Sequence, residues 1–234
     1  MIAQLKDRRV VGLGTMQFDF EVLEPFTFKP GQYVVLKLIN PPPMDAKGDQ
    51  RFFSINNTLS QKNLIQITTR LTDSTFKKYL QEAPLGTELE IKNIAGSFVL
   101  PEDTSKPLVF IAGGIGVTPY LSMLSFIDEQ KLTYNITFLY SNRNKESTAH
   151  LEKLEQIAHR NPNIKIIFIM TEEEGWTGEK RKIDRNLIKE YFPKLNDNTF
   201  YVVGPPPMVG AVRQALSEIG VADSNIKFEN FTGY

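Results

Sequence analysis

Residues 107–127, PLVFIAGGIGVTPYLSMLSFI, carry no charge and are long enough to cross a bilayer as one helix. Gly113, Gly114, Gly116 and Pro119 stand in the middle of the run, and glycine and proline there break a continuous helix. The segment therefore reads as a buried strand, LVFIAG, a glycine turn, and a helix over 118–130. A strand that is apolar at successive positions is covered on both faces, as in a parallel sheet wrapped by helices. The rest of the chain agrees. NITFLYS, a helical stretch from Thr148 to His159, IKIIFIMT, a helix near 184–191, TFYVVG, a helix from Pro207 to Ile219, and NIKFENF follow in order. Strand and helix in alternation make an α/β sheet.

The first hundred residues keep a different rhythm. TMQFDFEVLE alternates, with Met16, Phe18, Phe20 and Val22 on one side and Gln17, Asp19 and Glu21 on the other. QYVVLKLI and NLIQITTR are further short strands, separated by Pro30-Gly31, Pro41-Pro42-Pro43 and Lys47-Gly48-Asp49. One short helix, STFKKYLQE, interrupts them. Many short strands between turns suggest an antiparallel barrel. The fold class expected is thus β + α/β: an N-terminal antiparallel β-barrel over 1–101, then a parallel-sheet α/β domain over 102–234. The join falls in PEDTSKP, residues 101–107.

Composition removes several functions. Lys plus Arg, 27, equals Asp plus Glu, 27, whereas proteins that bind nucleic acid carry a basic excess. The chain has no cysteine, which rules out disulfides, thiolate catalysis and cysteine-held iron–sulfur clusters and suits a reducing compartment, hence the cytoplasm. His150 and His159 lie nine residues apart, a spacing that does not put them on one helix face, so no metal set is expected. MIAQLKDRRV has no apolar signal core, and no membrane span is expected.

Two motifs carry chemistry. In GGIGVTPYLSML the glycines join a buried strand to a helix, where the backbone can turn tightly and a ligand can approach its amides. Pro119 suits a first helical turn and Thr118 can cap it. A helix start of that kind favours a pyrophosphate. The pattern is not G-x-G-x-x-G, since Pro119 holds the third glycine's place, and no acid closes the second strand, where LYSNRN offers Ser141, Asn142 and Arg143. A tight turn without a ligand would carry the same glycines. In RFFSIN, alternation puts Arg51 and Phe53 on one face and Phe52 and Ser54 on the other; an edge strand with core aromatics would read the same.

RFFS in the first domain, GGIGVTP opening the second, VGPPPMV late in the chain and a terminal aromatic, in that order, resemble the ferredoxin–NADP reductase superfamily of flavoproteins. The resemblance covers nearly the whole chain. It implies a flavin-binding barrel and a Rossmann-like NAD(P)-binding domain. Arg51 would pair with flavin phosphate, Phe53 would stack on the isoalloxazine where the family has tyrosine, and Ser54 would bond near flavin N5. Phe52, Ile55 and Thr69 join the same set, as do Ser74, Thr75 and Lys77 at the start of the short helix, with Lys77 where the family has serine. AGSFVL matches the glycine–aromatic end of the family's barrel. FAD is expected in preference to FMN.

In the second domain the resemblance implies that Gly114, Gly116, Val117, Thr118 and Pro119 face the nicotinamide and pyrophosphate. Ser141 and Arg143 join this set, as do Gly204, Pro205, Pro206 and Met208, with Val203 replacing the family's cysteine. Ser54, Thr118 and Tyr234 are the expected catalytic residues, Tyr234 as a ring shielding the flavin. Glu229 could assist near the flavin, or be a solvated surface carboxylate. Arg143, Lys180, Arg181 and Lys182 could meet a 2′-phosphate, favouring NADPH, or form a solvated basic loop. The function implied is hydride transfer from NAD(P)H to bound FAD, with electrons passing to a separate acceptor, a ferredoxin- or flavodoxin-like protein or a small molecule. The alternatives are an electron-transfer subunit of a larger complex and a nucleotide-binding regulatory module without flavin.

Overall fold

The computed structural model describes residues 1–232. The chain divides into two compact units, Met1–Leu100 with Thr118–Phe126, and Pro101–Val117 with Ile127–Tyr234.

The first unit contains β1 (Ile2–Gly12), β2 (Thr15–Val22), β3 (Tyr33–Leu38), β4 (Gln50–Ser54), β5 (Leu64–Arg70), α1 (Thr75–Glu82) and β6 (Glu88–Ala95). Its six strands form one antiparallel sheet in the order β4-β3-β6-β1-β2-β5. An Ile55–Ile67 bridge and an Asn56 N–H to Gln66 carbonyl bond of 2.9 Å link the chain just after β4 to β5. The two ends of the strand row are thereby joined. Phe18, Phe20, Leu36, Ile67 and Phe76 are fully buried inside, each worth roughly 1.5–3 kcal/mol relative to exposure.

The inward alternation of β2 is as the sequence reads, but its polar side is not open to water. Gln17 and Asp19 are buried. Gln17 Nε2 donates to Asp19 Oδ1 at 2.5 Å and Gln66 Nε2 to Asp19 Oδ2 at 2.8 Å, and Arg9 pairs with the same carboxylate. Buried polar groups must be bonded to one another in this way.

Residues Thr118–Phe126 group with the barrel strands. Ser122 Oγ donates to the Asn57 carbonyl at 2.6 Å, and Tyr120 meets Phe98 edge-on. A side chain at Gly31 would collide with the Phe98 carbonyl and Met123, so only glycine admits this contact.

The second unit holds β7 (Leu108–Gly113), a 3₁₀ turn (Gly114–Val117), β8 (Ile136–Asn142), α3 (Leu151–Arg160), β9 (Ile164–Met170), α4 (Arg185–Tyr191), β10 (Thr199–Gly204), α5 (Pro206–Glu218) and β11 (Ile226–Asn230). The turn leads into α2 (Thr118–Gln130). All five strands are parallel, in the order β11-β10-β7-β8-β9. Every residue of β7 is buried. The chain builds outward from β7 in one direction and then the other, so the order reverses between β7 and β10. Ligands of doubly wound sheets bind beyond the carboxyl ends of the strands at such a reversal.

Helix limits shift slightly from the sequence reading. α3 begins at Leu151 because His150 takes a left-handed φ of 58° and Thr148 Oγ1 bonds back to the Asn144 carbonyl at 2.8 Å. α4 is capped by Asp184, whose carboxylate accepts from the amides of Asn186 and Leu187. α5 starts at Pro206 rather than Pro207, proline being suited to a first helical position.

Candidate functional site

In the first unit the decisive cluster lies at the start of α1. Arg51 on β4 reaches Ser74 Oγ at 3.4 Å and Asp45 Oδ1 at 2.9 Å. It also donates to the carbonyls of Lys47, Gly48 and Gln50, and its guanidinium sits over the Phe76 ring. Ser74 is the N-cap of α1 but makes no side-chain cap bond. That work falls to Asp45, whose Oδ2 accepts from both the Thr75 amide and the Thr75 hydroxyl at 3.1 Å. Burial acts to raise the Asp45 pKa. The amides of Thr75 and Lys47, the Thr75 hydroxyl and Arg51 outweigh it and hold the group at about 2.

Lys77 is almost wholly buried on α1. Burial, followed by the charges of Lys47, Arg51 and Arg70, pushes its pKa down to about 8. Arg70, ending β5, has a buried Nε with no hydrogen-bond partner among the described residues. Cations gathered at a helix start, with a buried donor left over, fit a phosphate. Asp45 and Arg70 were not read as site residues in the sequence. Arg70 is one more strand-end charge there, and Asp45 gains meaning only from a loop that folds back thirty residues.

The aromatic pair on β4 is divided. Phe53 is 8% exposed and packs on Phe76 in the barrel core, whereas Phe52 is 65% exposed and meets Tyr33 edge-on. The ring face open on this strand is therefore that of Phe52, although Phe53 is the residue at the stacking position of the resemblance. Ser54 and Thr69 are buried, and Ile55 is wholly enclosed in the core, so Ile55 can offer a ligand only its backbone.

In the second unit the glycines meet at the sheet reversal. A Cβ on Gly113 would run into Met208 Sδ, and one on Gly116 would lie 2.5 Å from the Val203 carbonyl oxygen. The Gly116 approach is to backbone at the end of β10, whereas at Gly113 it is to the flexible Met208 side chain of α5. Gly114, by contrast, has φ of 53° and nothing within 4 Å of where a Cβ would point. It is the glycine that leaves backbone open to a ligand. Thr118 does not cap α2. Val117 precedes the helix in helical conformation, because the 3₁₀ turn runs directly into it, and Pro119 lies in the first turn. Pro205 is half-buried, Pro206 exposed and Met208 half-buried at the start of α5.

Ser141 and Asn142 end β8, and Asn142 Nδ2 is buried without a partner among the described residues. The sequence offers Asn142 together with Ser141 and Arg143 at this strand end, and only the fold shows that its amide is buried. Arg143 is exposed and only loosely paired with Glu172 at 3.9 Å. Arg181 is committed elsewhere. Its guanidinium bonds to both Glu179 oxygens and to Glu190, and Arg181 in turn holds the Glu179 carboxyl down at about 2. Lys180 and Lys182 are exposed. Glu229 on β11 pairs with Val203 of β10 and is half-buried, and burial pushes its pKa up to about 7. Tyr234 lies outside the described residues.

Residues 110–214 match the family model described as Oxidoreductase NAD-binding domain. The chain is 34% identical over 209 residues to the anthranilate 1,2-dioxygenase electron transfer component of Acinetobacter baylyi, covering 87% of this chain and 58% of that protein. It is 30% identical over 219 residues to a flavohemoprotein of Rhodopirellula baltica, covering 87% and 53% respectively. This chain thus spans little more than half the length of these curated relatives. Among solved structures, a ferredoxin NADP+ reductase from Neisseria gonorrhoeae with bound FAD and NADP superposes with a TM-score of 0.82, at 20% identity, over 98% of both chains. The chain has the ferredoxin–NADP reductase fold. In this reductase fold the antiparallel unit carries the cation cluster and the parallel unit carries the glycine turn. Among the described residues, no helix is long and apolar enough to cross a membrane.

Proposed function

We propose that this chain is an NAD(P)H-dependent flavoprotein reductase that hands electrons to a separate acceptor. The observation that carries the reading is the cation cluster at the start of α1. Arg51, Arg70 and Lys77 gather there with a buried donor to spare, in a fold whose other unit matches an oxidoreductase NAD-binding domain. Arg51, Ser74, Thr75 and Lys77, with Arg70, would hold the flavin phosphate, and Phe52 or Phe53 would lie on the ring. FAD is the favoured flavin, being the one named with the Neisseria structure. Bound flavin would accept the nicotinamide hydride and release electrons singly or in pairs.

The chain's own residues bind and orient. Gly114 opens the backbone at the end of β7, and Gly204-Pro205-Pro206 supplies a stiff wall at the end of β10, with little conformational freedom left to lose. Asn142 Nδ2 is a further donor at the end of β8. Lys180 and Lys182 are exposed and Arg143 is only loosely paired with Glu172 at 3.9 Å, whereas Arg181 is engaged by Glu179 and Glu190. NADH and NADPH are therefore both candidate donors. The acceptor is a separate protein or small molecule, and the cysteine-free chain suits the cytoplasm.

A second reading, an electron-transfer subunit of a larger complex, is favoured by the Acinetobacter relative being an electron transfer component and by the share of it that this chain spans. Fluorescence titration with FAD tests the shared core of both. The wild type binds FAD and Arg51→Ala binds it at least about tenfold more weakly. Equal binding by the two proteins would remove Arg51 from the site.

A further inference from the structure

We propose that Asp45 is a built-in counter-anion that occupies the phosphate seat at the start of α1, and that the 41–49 loop must swing aside when a phosphate-bearing ligand enters. The inference rests on the flavin reading above.

Three donors suited to a phosphate are already engaged by one carboxylate. The Thr75 amide and the Thr75 hydroxyl reach Asp45 Oδ2 at 3.1 Å, and Arg51 Nη2 reaches Oδ1 at 2.9 Å. These groups have too few protons to serve Asp45 and a phosphate together. Hydrogen bonds to ionised groups are the strong ones, and the depressed Asp45 pKa keeps the carboxylate charged at any ordinary working pH. The closed arrangement is thus a real competitor for the seat.

It is also an incomplete one. Arg51 bonds Asp45 directly, Lys77 lies in the field of Lys47, Arg51 and Arg70, and the buried Arg70 Nε has no partner among the described residues. A phosphate brings more charge and more acceptor atoms than Asp45 can. The loop is built to yield. No residue from 41 to 50 is buried, and Asp45 joins it to α1 through its own amide, which donates to Thr75 Oγ1 at 3.0 Å. Met44 packs partly on the barrel core, which gives the loop a pivot next to the group that must leave. A ligand that needs a minor open state has its affinity lowered by the fraction that is open.

The test compares wild type, Asp45→Asn, Asp45→Ala and the neighbouring control Asp49→Asn by fluorescence titration with FAD, FMN and riboflavin, which lacks phosphate. Melting curves check that each protein is folded, and Asp45→Asn keeps the side-chain shape should alanine unsettle the loop. Both Asp45 variants are expected to bind FAD and FMN about tenfold more tightly, the equivalent of one charge-assisted hydrogen bond removed from the competitor. Riboflavin affinity should stay unchanged, and Asp49→Asn should match wild type. Unchanged or weaker FMN binding in the Asp45 variants overturns the proposal while leaving the flavin reading intact. So does an equal gain for riboflavin. Failure of all four proteins to bind any flavin overturns both.

Discussion

Glu229→Gln isolates a single half-buried carboxyl. The Glu229 pKa rises from 4.5 to about 7 through burial, so the native state holds this proton more tightly than the unfolded chain does. The stability that Glu229 contributes is fully present below its unfolded pKa and is lost as pH rises through the native value. Integrating the proton linkage between about pH 5 and about pH 7.5 gives a loss of roughly 2 kcal/mol from this one group. The carboxylates of Asp45 and Glu179 titrate at about 2, below that window. Lys77, at about 8, titrates mostly above it.

Urea denaturation of the two proteins at these pH values checks the argument. Wild type should lose roughly 2 kcal/mol relative to Glu229→Gln on going to the higher pH, a relative melting shift of about 4–8 °C for a chain of this size. Parallel pH profiles for the two proteins would show that Glu229 is well solvated and would refute the reasoning.

Gly116→Ala places a methyl 2.5 Å from the Val203 carbonyl oxygen. It should cost about 1–3 kcal/mol, as overpacking does, and denaturation would show this before any nucleotide is added. Asp184→Ala removes the carboxylate that accepts from the first amides of α4 and should cost about 1 kcal/mol, measurable by urea titration with flavin binding unchanged. Arg181→Ala should leave the NADH-to-NADPH preference as it is, because its guanidinium is engaged by Glu179 and Glu190. A fall confined to NADPH would show that those bonds open to admit a 2′-phosphate.

The sequence showed most of what depends on local periodicity. The uncharged run from 107 to 127 resolved into strand, turn and helix because glycine and proline punctuate it, and the strands before it followed from alternation. What it could not show depends on distant segments. Gln17 and Asp19 sit on the side of β2 that reads as solvent-facing, yet they are buried in a polar network completed by Gln66. Gly116 reads as room for a ligand, and the fold adds a second demand on it, since a Cβ there would meet the Val203 carbonyl, while Gly114 has open space where a Cβ would point.

Charge was the least legible property. Arg181 looked available until Glu190, nine residues on, closed over it. Glu229 looked solvated because a strand of five residues gives no hint of what covers it. Asp45 lay in a turn with no periodicity at all, while its partners Arg51 and Thr75 come from β4 and α1. A resemblance carried by RFFS and GGIGVTP named Arg51, but it could not show that Arg51 already holds an internal acid.

The most direct measurement of the central claim is anaerobic spectrophotometry of the FAD-loaded protein, with NADH and NADPH added in separate experiments. The reductase account predicts that the yellow absorbance bleaches with at least one of them, and that an added electron acceptor restores it. Protein that holds FAD yet stays yellow with both nucleotides would contradict the account.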